Sequence, residues 1–458
     1  MRNYTRRKFL RLGTQTLCGA GLALGSSPWH TLAQAATGEL SQHQDYRALV
    51  CIYLAGGSDG FNLLVPTDDA EYNEYAGARR HLAVAKSKLL PLAVRNAGMP
   101  NVGLNDDAAS LIPLYDEGRL GFVANVGTLI EPTSREAFEN HTVELPAQLF
   151  SHSDQEIQWQ QLQSNVATRN GWGALAAQQL AAGQDRDYLT SITLAGSNYW
   201  QASNAKRPFS VNPDGVARYY GMDSPESSWQ QPRREAFQRV MQQQQSHIFA
   251  KAYADLQQRA FSITEELGAL LDASAPLAQP IPENNSLAEQ LAMVARLINV
   301  RESLGMSRQI FYVNMGGWDV HDDQSREQPE LFAQLSQAMS FFQNEIDNSG
   351  MSQNVTTFTA SDFGRTLTSN GDGTDHGWGN HHMVMGGAVN GGDVVGAMPR
   401  MAVDGPDSVR NGRVIPTLSA SQYAADLLRW VGIEENTLDS VLPQLRNFSQ
   451  RELNLMYS

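Results

Sequence analysis

Ala48-Leu49-Val50-Cys51-Ile52-Tyr53-Leu54, followed at once by Ala55-Gly56-Gly57-Ser58-Asp59-Gly60, is the stretch that decides the fold. An uncharged run of aliphatic and aromatic residues closed by paired glycines reads as a strand buried on both faces. Such a strand belongs to a parallel sheet with helices on both sides. Three further runs have the same character: Gly121 to Val126, Gln309 to Asn314 and Val355 to Thr359. Helical periodicity separates them, over Ala108 to Glu117, Gln328 to Ile346 and Ala420 to Trp430. The alternation predicts an α/β fold built on a doubly wound, mainly parallel sheet.

Composition shifts over about 212–305. A Gln-rich stretch from Arg234 to Leu271 carries Phe237, Val240, Met241, Ile248, Ala252 and Leu256 at helical spacing, which predicts one long packed helix. Asn285 to Ser303 predicts a second, with Leu291, Val294, Leu297 and Ile298 facing inward, and the Pro-rich Ala275 to Pro282 joins the two. The expected organisation is a single α/β domain over 36–458 with a helical insertion at about 212–305.

Upstream, Thr5-Arg6-Arg7-Lys8-Phe9-Leu10 reads as a twin-arginine export motif, and Ala33-Gln34-Ala35 as a cleavage site that makes residues 1–35 a signal peptide. The stretch Leu12 to Leu24 is short and broken by Gly13, Gln15, Gly19 and Gly21, so no stable membrane anchor is expected. The expected export partner is the twin-arginine translocase, and the expected location is periplasmic or secreted. Because that route carries folded proteins, it favours a metal or cofactor loaded beforehand. Cleavage leaves Cys51 as the sole cysteine, read as buried core, and excludes an intrachain disulfide. The net charge of −14 becomes about −19 in the mature chain, with 29 basic residues against 48 acidic. That balance excludes nucleic acid as an expected partner and repels an anionic ester unless a bound cation reverses the field locally.

Four of the ten histidines fall between His321 and His382, in two glycine-rich blocks that also hold several aspartates. Imidazole and carboxylate donors suit divalent cations, here Zn, Mn, Mg or Ca, and glycines let separate segments converge. Each block follows an expected strand, where ligands of open parallel sheets bind. Asp59 follows the first strand, Asp319 and His321 the third, and Asp362 the fourth, with Asp375, His376, His381 and His382 beyond. Asp319 and His321, two apart, point the same way in extended backbone. In the adjacent pairs Asp375-His376 and His381-His382, one member of each is expected to ligate. Arg365 reads either as an anion clamp or as the ion-pair partner that orients Asp362. Ser151 stands before a helical pattern, as a cap or as a nucleophile activated by the helix end and a metal. His152 reads as a ligand, an acid/base or a packed histidine. Trp172, Trp318 and Trp378 are expected to pack the loops down.

Together with the leader, six pieces resemble the exported family DUF1501. They are Leu54 to Asn62, Phe150-Ser151-His152, Asn170-Gly171-Trp172, Gly316-Gly317-Trp318-Asp319-Val320-His321, Asp362-Phe363-Gly364-Arg365-Thr366 and Asp375-His376. That family resembles the alkaline phosphatase and sulfatase superfamily, which implies an alkaline-phosphatase-like sheet and often a two-metal site clamping a phosphoryl or sulfuryl group. The resemblance makes Asp59 a metal ligand and Ser151 the nucleophile. It adds Asp319, His321 and Asp362 as further ligands, with His376 or His382 as the late histidine. Two departures stand out: Asp319 and His321 are closer together than the superfamily pair, and Phe363 follows Asp362 where an Asp-His pair is expected. They leave one of the two metal subsites open to alteration or loss. The function expected is an exported metal-dependent hydrolase of phosphate or sulfate esters. The alternative is a non-catalytic, metal-stabilised binding or assembly factor of the cell envelope. A redox role lacks support, since the chain has neither a dinucleotide fingerprint nor a cysteine cluster.

Overall fold

The computed structural model describes residues 45–457 apart from 164–169, 185, 205, 223–226 and 244–246. The export motif, the cleavage site and the stretch Leu12 to Leu24 lie outside the described residues. Among the described residues no helix is long and apolar enough to cross a membrane.

The nine strands of the central sheet are β1 (Arg47–Leu54), β2 (Leu120–Gly127), β3 (Ser191–Thr193), β4 (Phe209–Ser210), β5 (Arg308–Met315), β6 (Val355–Ser361), β7 (Asn380–Met385), β8 (Val394–Gly396) and β9 (Leu418–Ser419). Their order is β8-β2-β7-β6-β1-β5-β3-β4, with β9 also on β2. All pair in parallel except β7, which runs antiparallel to both β2 and β6. The four continuous apolar runs of the sequence are β1, β2, β5 and β6.

Burial on both faces follows from the period of two. Ala48, Val50, Ile52 and Leu54 enter one core, while Leu49, Cys51 and Tyr53 enter the other. The principal helices are α1 (Asp69–Arg79), α2 (His152–Gln161), α3 (Trp172–Leu180), α4 (Gln231–Gln242), α5 (Ile248–Ala273), α6 (Ser286–Asn299), α7 (Gln324–Asn348) and α8 (Ala420–Val431). The first core packs under α6 and α7, and the second under α2, α3 and α8. The architecture is therefore α/β, with a mixed, mostly parallel sheet between two helical layers. Cys51 is buried and free, as expected of a small core residue.

The middle segment departs from expectation in two ways. The single helix expected from Arg234 to Leu271 is two helices, because Gln243 and His247 are extended. Their apolar positions meet only in part, as Phe237, Phe261 and Tyr219 cluster while Val240, Ile248, Phe249, Tyr253 and Leu256 stay exposed. Helix α6, by contrast, agrees with its expected inward face: Leu291, Val294, Leu297 and Ile298 are fully buried.

Candidate metal centre

The carboxyl ends of β1, β5 and β6 lie side by side, and the loops leaving them bring the chemistry together. After β1 the chain turns through Gly56 and Gly57, both in the left-handed region. A side chain at Gly56 would meet the Asp319 backbone nitrogen at 2.5 Å, so only glycine lets the β1 loop pack against the loop after β5. After β6, Asp362 accepts from the Gly56 N–H at 3.3 Å. An antiparallel hairpin, Arg365–Ser369 with Thr374–His376, then carries Arg365 and His376 over the same end.

His152, Asp319 and His376 each offer a ligand atom there, all within 4.8 Å of one another. At the start of α2, His152 Nδ1 lies 2.7 Å from Asp362 Oδ2. Its Nε2 is buried without a hydrogen bond, 3.3 Å from Asp319 Oδ2. The Nδ1 of His376 donates to the Phe150 carbonyl at 2.8 Å, which leaves its Nε2 as a lone pair. That lone pair lies 2.8 Å from His321 Nε2 and 3.4 Å from Asp319 Oδ1. His321 Nε2 is 3.0 Å from the same oxygen, and its Nδ1 is 3.4 Å from Asp375 Oδ1. Imidazoles with Nδ1 held by an oxygen and Nε2 turned inward are the arrangement of histidine ligands in metalloproteins. Acceptor atoms converging this closely are relieved by a shared proton or a cation. Bonds of about 2.0–2.1 Å in a tetrahedron place neighbouring ligand atoms about 3.3 Å apart, close to the separation of each imidazole from its own Asp319 oxygen, His152 from Oδ2 and His376 from Oδ1. The donor set therefore fits a small divalent ion.

Electrostatics agree. Burial works to raise the Asp319 carboxyl, but the hydrogen bond and charge of Arg365, with His152 and His321, outweigh it and hold the group below its usual range. The hydrogen bond to Asp362 raises His152, while burial lowers His376 and keeps it neutral. Arg365 itself is fully buried. Its Nη1 donates to Asp319 at 2.8 Å and to the Gly56 carbonyl at 3.3 Å, its Nε donates to Thr374 Oγ1 at 3.2 Å, and its Nη2 donates to the Thr374 carbonyl. Neither expected role for Arg365 is seen: it orients Asp319 in place of Asp362, and a buried guanidinium with these partners is not open to an anion.

Three expected ligands lie elsewhere. Asp59 has no solvent exposure and binds the equally buried Arg79 through both oxygens, at 2.6 and 2.7 Å, while Gln324 Nε2 donates to Oδ2 at 2.7 Å. Its charge is neutralised within the protein. His381 and His382 sit within β7, where neighbours face opposite sides of the sheet. His381 Nδ1 accepts from the Asn125 N–H, and its ring meets Phe61 edge-on. His382 packs against Trp159 and Tyr423. Burial drives both histidines down to about 3, helped by Arg79 at His381 and by His381 at His382. Ser151 occupies the N-cap position of α2 without making the capping bond, and its hydroxyl donates to Asp154 Oδ2 at 2.7 Å. Trp172, Trp318 and Trp378 are buried.

A family model described as "Protein of unknown function (DUF1501)" matches residues 46–425. The chain belongs to the DUF1501 family. Among curated proteins none matches it significantly. Solved structures similar to this DUF1501 protein include the PsFucS1 sulfatase from Pseudoalteromonas sp., at a TM-score of 0.36 and 11% identity over 89% of this chain and 72% of that one. Another is Ps i-CgsB, at 0.34 and 10% over 88% and 77%. At TM-scores of this size the overlap carries no conclusion about activity.

Five groups that sequence reasoning passed over complete the site. Arg79 neutralises Asp59, and Gln324 links Asp59 to Thr374, whose hydroxyl receives Arg365 Nε. The Phe150 carbonyl and Arg413 hold His376. The Phe150-Ser151-His152 and Asp375-His376 motifs pointed near Phe150 and Thr374, whereas Arg79, Gln324 and Arg413 depend on contacts distant in sequence.

Proposed function

We propose that this DUF1501 protein is a metal-dependent hydrolase of phosphate or sulfate esters, with one divalent cation held by His152, Asp319 and His376 and flanked by His321. The observation that carries the reading is the pair of imidazoles whose Nδ1 atoms are tied to Asp362 and Phe150 while both Nε2 atoms face Asp319. Several imidazoles in one set favour zinc or another transition ion over magnesium or calcium. When bound, such an ion supplies Lewis acidity toward an ester oxygen and a local positive field on an acidic protein. The chain's own groups do the rest: Arg365 holds Asp319 ionised and oriented, Asp362 fixes the His152 ring, and Ser151 stands beside His152 at the helix start. The export route and periplasmic or secreted location belong to the same proposal and rest on the leader sequence.

A second reading, a non-catalytic cation-stabilised factor, is favoured by one observation. Asp59 and Arg365, expected to serve a second ion and an anionic substrate, are both engaged in ion pairs within the protein. Purified mature protein assayed for bound metal and for turnover of aryl phosphates and sulfates, with and without chelator, decides between them. Chelator-sensitive turnover lost in Ser151→Ala supports the hydrolase. Bound cation with no turnover of either class supports the second reading. A protein that neither binds a cation nor turns over either ester after reconstitution overturns both.

A further inference from the structure

We propose that Arg413 is a positioning residue that acts through Phe150 to set the tautomer of His376; its significance for metal binding rests on the cation reading above. Phe150 has φ 76°, a left-handed conformation that an aromatic residue seldom adopts, and it turns the Phe150 carbonyl onto His376 Nδ1 at 2.8 Å. The Arg413 guanidinium lies over the Phe150 ring, 4.3 Å from its centroid. Its Nε donates to the main-chain carbonyl of His376 at 2.9 Å. One side chain thus grips both partners of the bond: the residue that offers the carbonyl and the strand that carries the imidazole. Arg413 Nη1 donates to the Arg410 carbonyl at 3.2 Å, which anchors the guanidinium to its own turn. Phe363 stacks on the His376 ring, with centroids 4.7 Å apart and planes inclined by 29°, and limits its swing.

The consequence is chemical as well as steric. With its proton on Nδ1, His376 presents the Nε2 lone pair to Asp319 and His321; with its proton on Nε2 it would present an N–H, and no cation could bind that atom. Arg413 touches neither the ligand atoms nor a substrate, so it acts on His376 through the orientation of Phe150 and of the His376 main chain.

The test uses the mature protein with 15N-labelled histidine, the His376 signal being assigned by its loss in His376→Gln, together with Zn2+ titration. The wild type is expected as the Nδ1–H tautomer. Arg413→Leu should give a mixture of tautomers and a zinc affinity reduced by about 10–100-fold, with the His381 and His382 signals unmoved. Arg413→Lys, which keeps a donor and a charge but not the planar stack, should recover part of the loss. An Arg413→Leu protein that keeps the Nδ1–H tautomer and wild-type zinc affinity overturns the proposal. Should that variant fail to fold, Phe150→Gly keeps the left-handed backbone and removes only the ring that Arg413 covers. A wild-type tautomer and affinity in that variant also overturn the proposal. A wild type that binds no zinc removes the cation reading alone, since the tautomer still decides what Arg413 does.

Discussion

Arg79 and Asp59 form a bidentate ion pair, Nη1 to Oδ2 at 2.7 Å and Nη2 to Oδ1 at 2.6 Å, with neither side chain reaching solvent. Removing one partner of such a pair leaves an uncompensated buried charge, so Arg79→Met is expected to cost about 3–5 kcal/mol of stability. Joint replacement, Arg79→Met with Asp59→Leu, should cost less than Arg79→Met alone. Urea denaturation of the three proteins measures this. Bound cation should persist in any folded Asp59→Asn variant; its loss at unchanged stability would return Asp59 to the ligand set.

At the cluster itself, side chains that offer ligand atoms and those that only orient them should separate by magnitude. Asp319→Ala and His376→Gln are expected to abolish measurable cation binding, while Asp362→Asn, which loosens the His152 ring, should weaken it by about 10–100-fold. Competition titration against a chromophoric chelator reads all three. Equal affinities across the set would sink the assignment.

The buried pair His381 and His382 predicts an acid limb of stability. Both have folded-state values lowered to about 3 by burial, against about 6.5 when unfolded. The unfolded chain therefore binds protons that the folded one refuses. This contribution is complete above about pH 6.5 and is lost as pH falls from there toward 3, at up to about 1.4 kcal/mol per pH unit for each histidine. Urea midpoints at pH 7.5, 6.0 and 5.0 should fall steeply in the wild type and less steeply in His381→Gln with His382→Gln. Parallel slopes in the two proteins would refute it.

Gly373 ties the hairpin to the loop after β5. A methyl there would meet the His321 carbonyl oxygen at 2.2 Å and its carbon at 2.3 Å, both main-chain atoms that cannot swing aside. Gly373→Ala should therefore displace His321 and lower cation affinity by about 10-fold or more, whereas Gly77→Ala, in open space on α1, should not. Titration of both variants checks the contrast.

What the sequence reveals divides along a physical line. Strands β1, β2, β5 and β6 were readable because burial on both faces writes a continuous apolar run. The residues that converge, His152, Asp319, His321, Asp362 and His376, were nameable because each sits beside a strand end or in a compact motif. Partners were not readable. Nothing local shows that Asp59 meets an arginine twenty residues on, or that Arg365 turns to Asp319 in preference to Asp362. His381 and His382 look like ligands by type alone, and only the pairing of β7 with both β2 and β6 buries them. The long helix expected from Arg234 onward failed for a related reason, since periodicity records an apolar face but not whether anything covers it.

The reversed direction of β7 bears on how this scaffold can change. Because β6 ends and β7 begins at the same rim, residues 362–379 leave and re-enter the sheet without crossing to its far side. That excursion holds Asp362, Arg365, Asp375 and His376. It is a cassette with both ends fixed on one edge, so its length and ligands could be exchanged between relatives while strand order, register and both cores stay as they are.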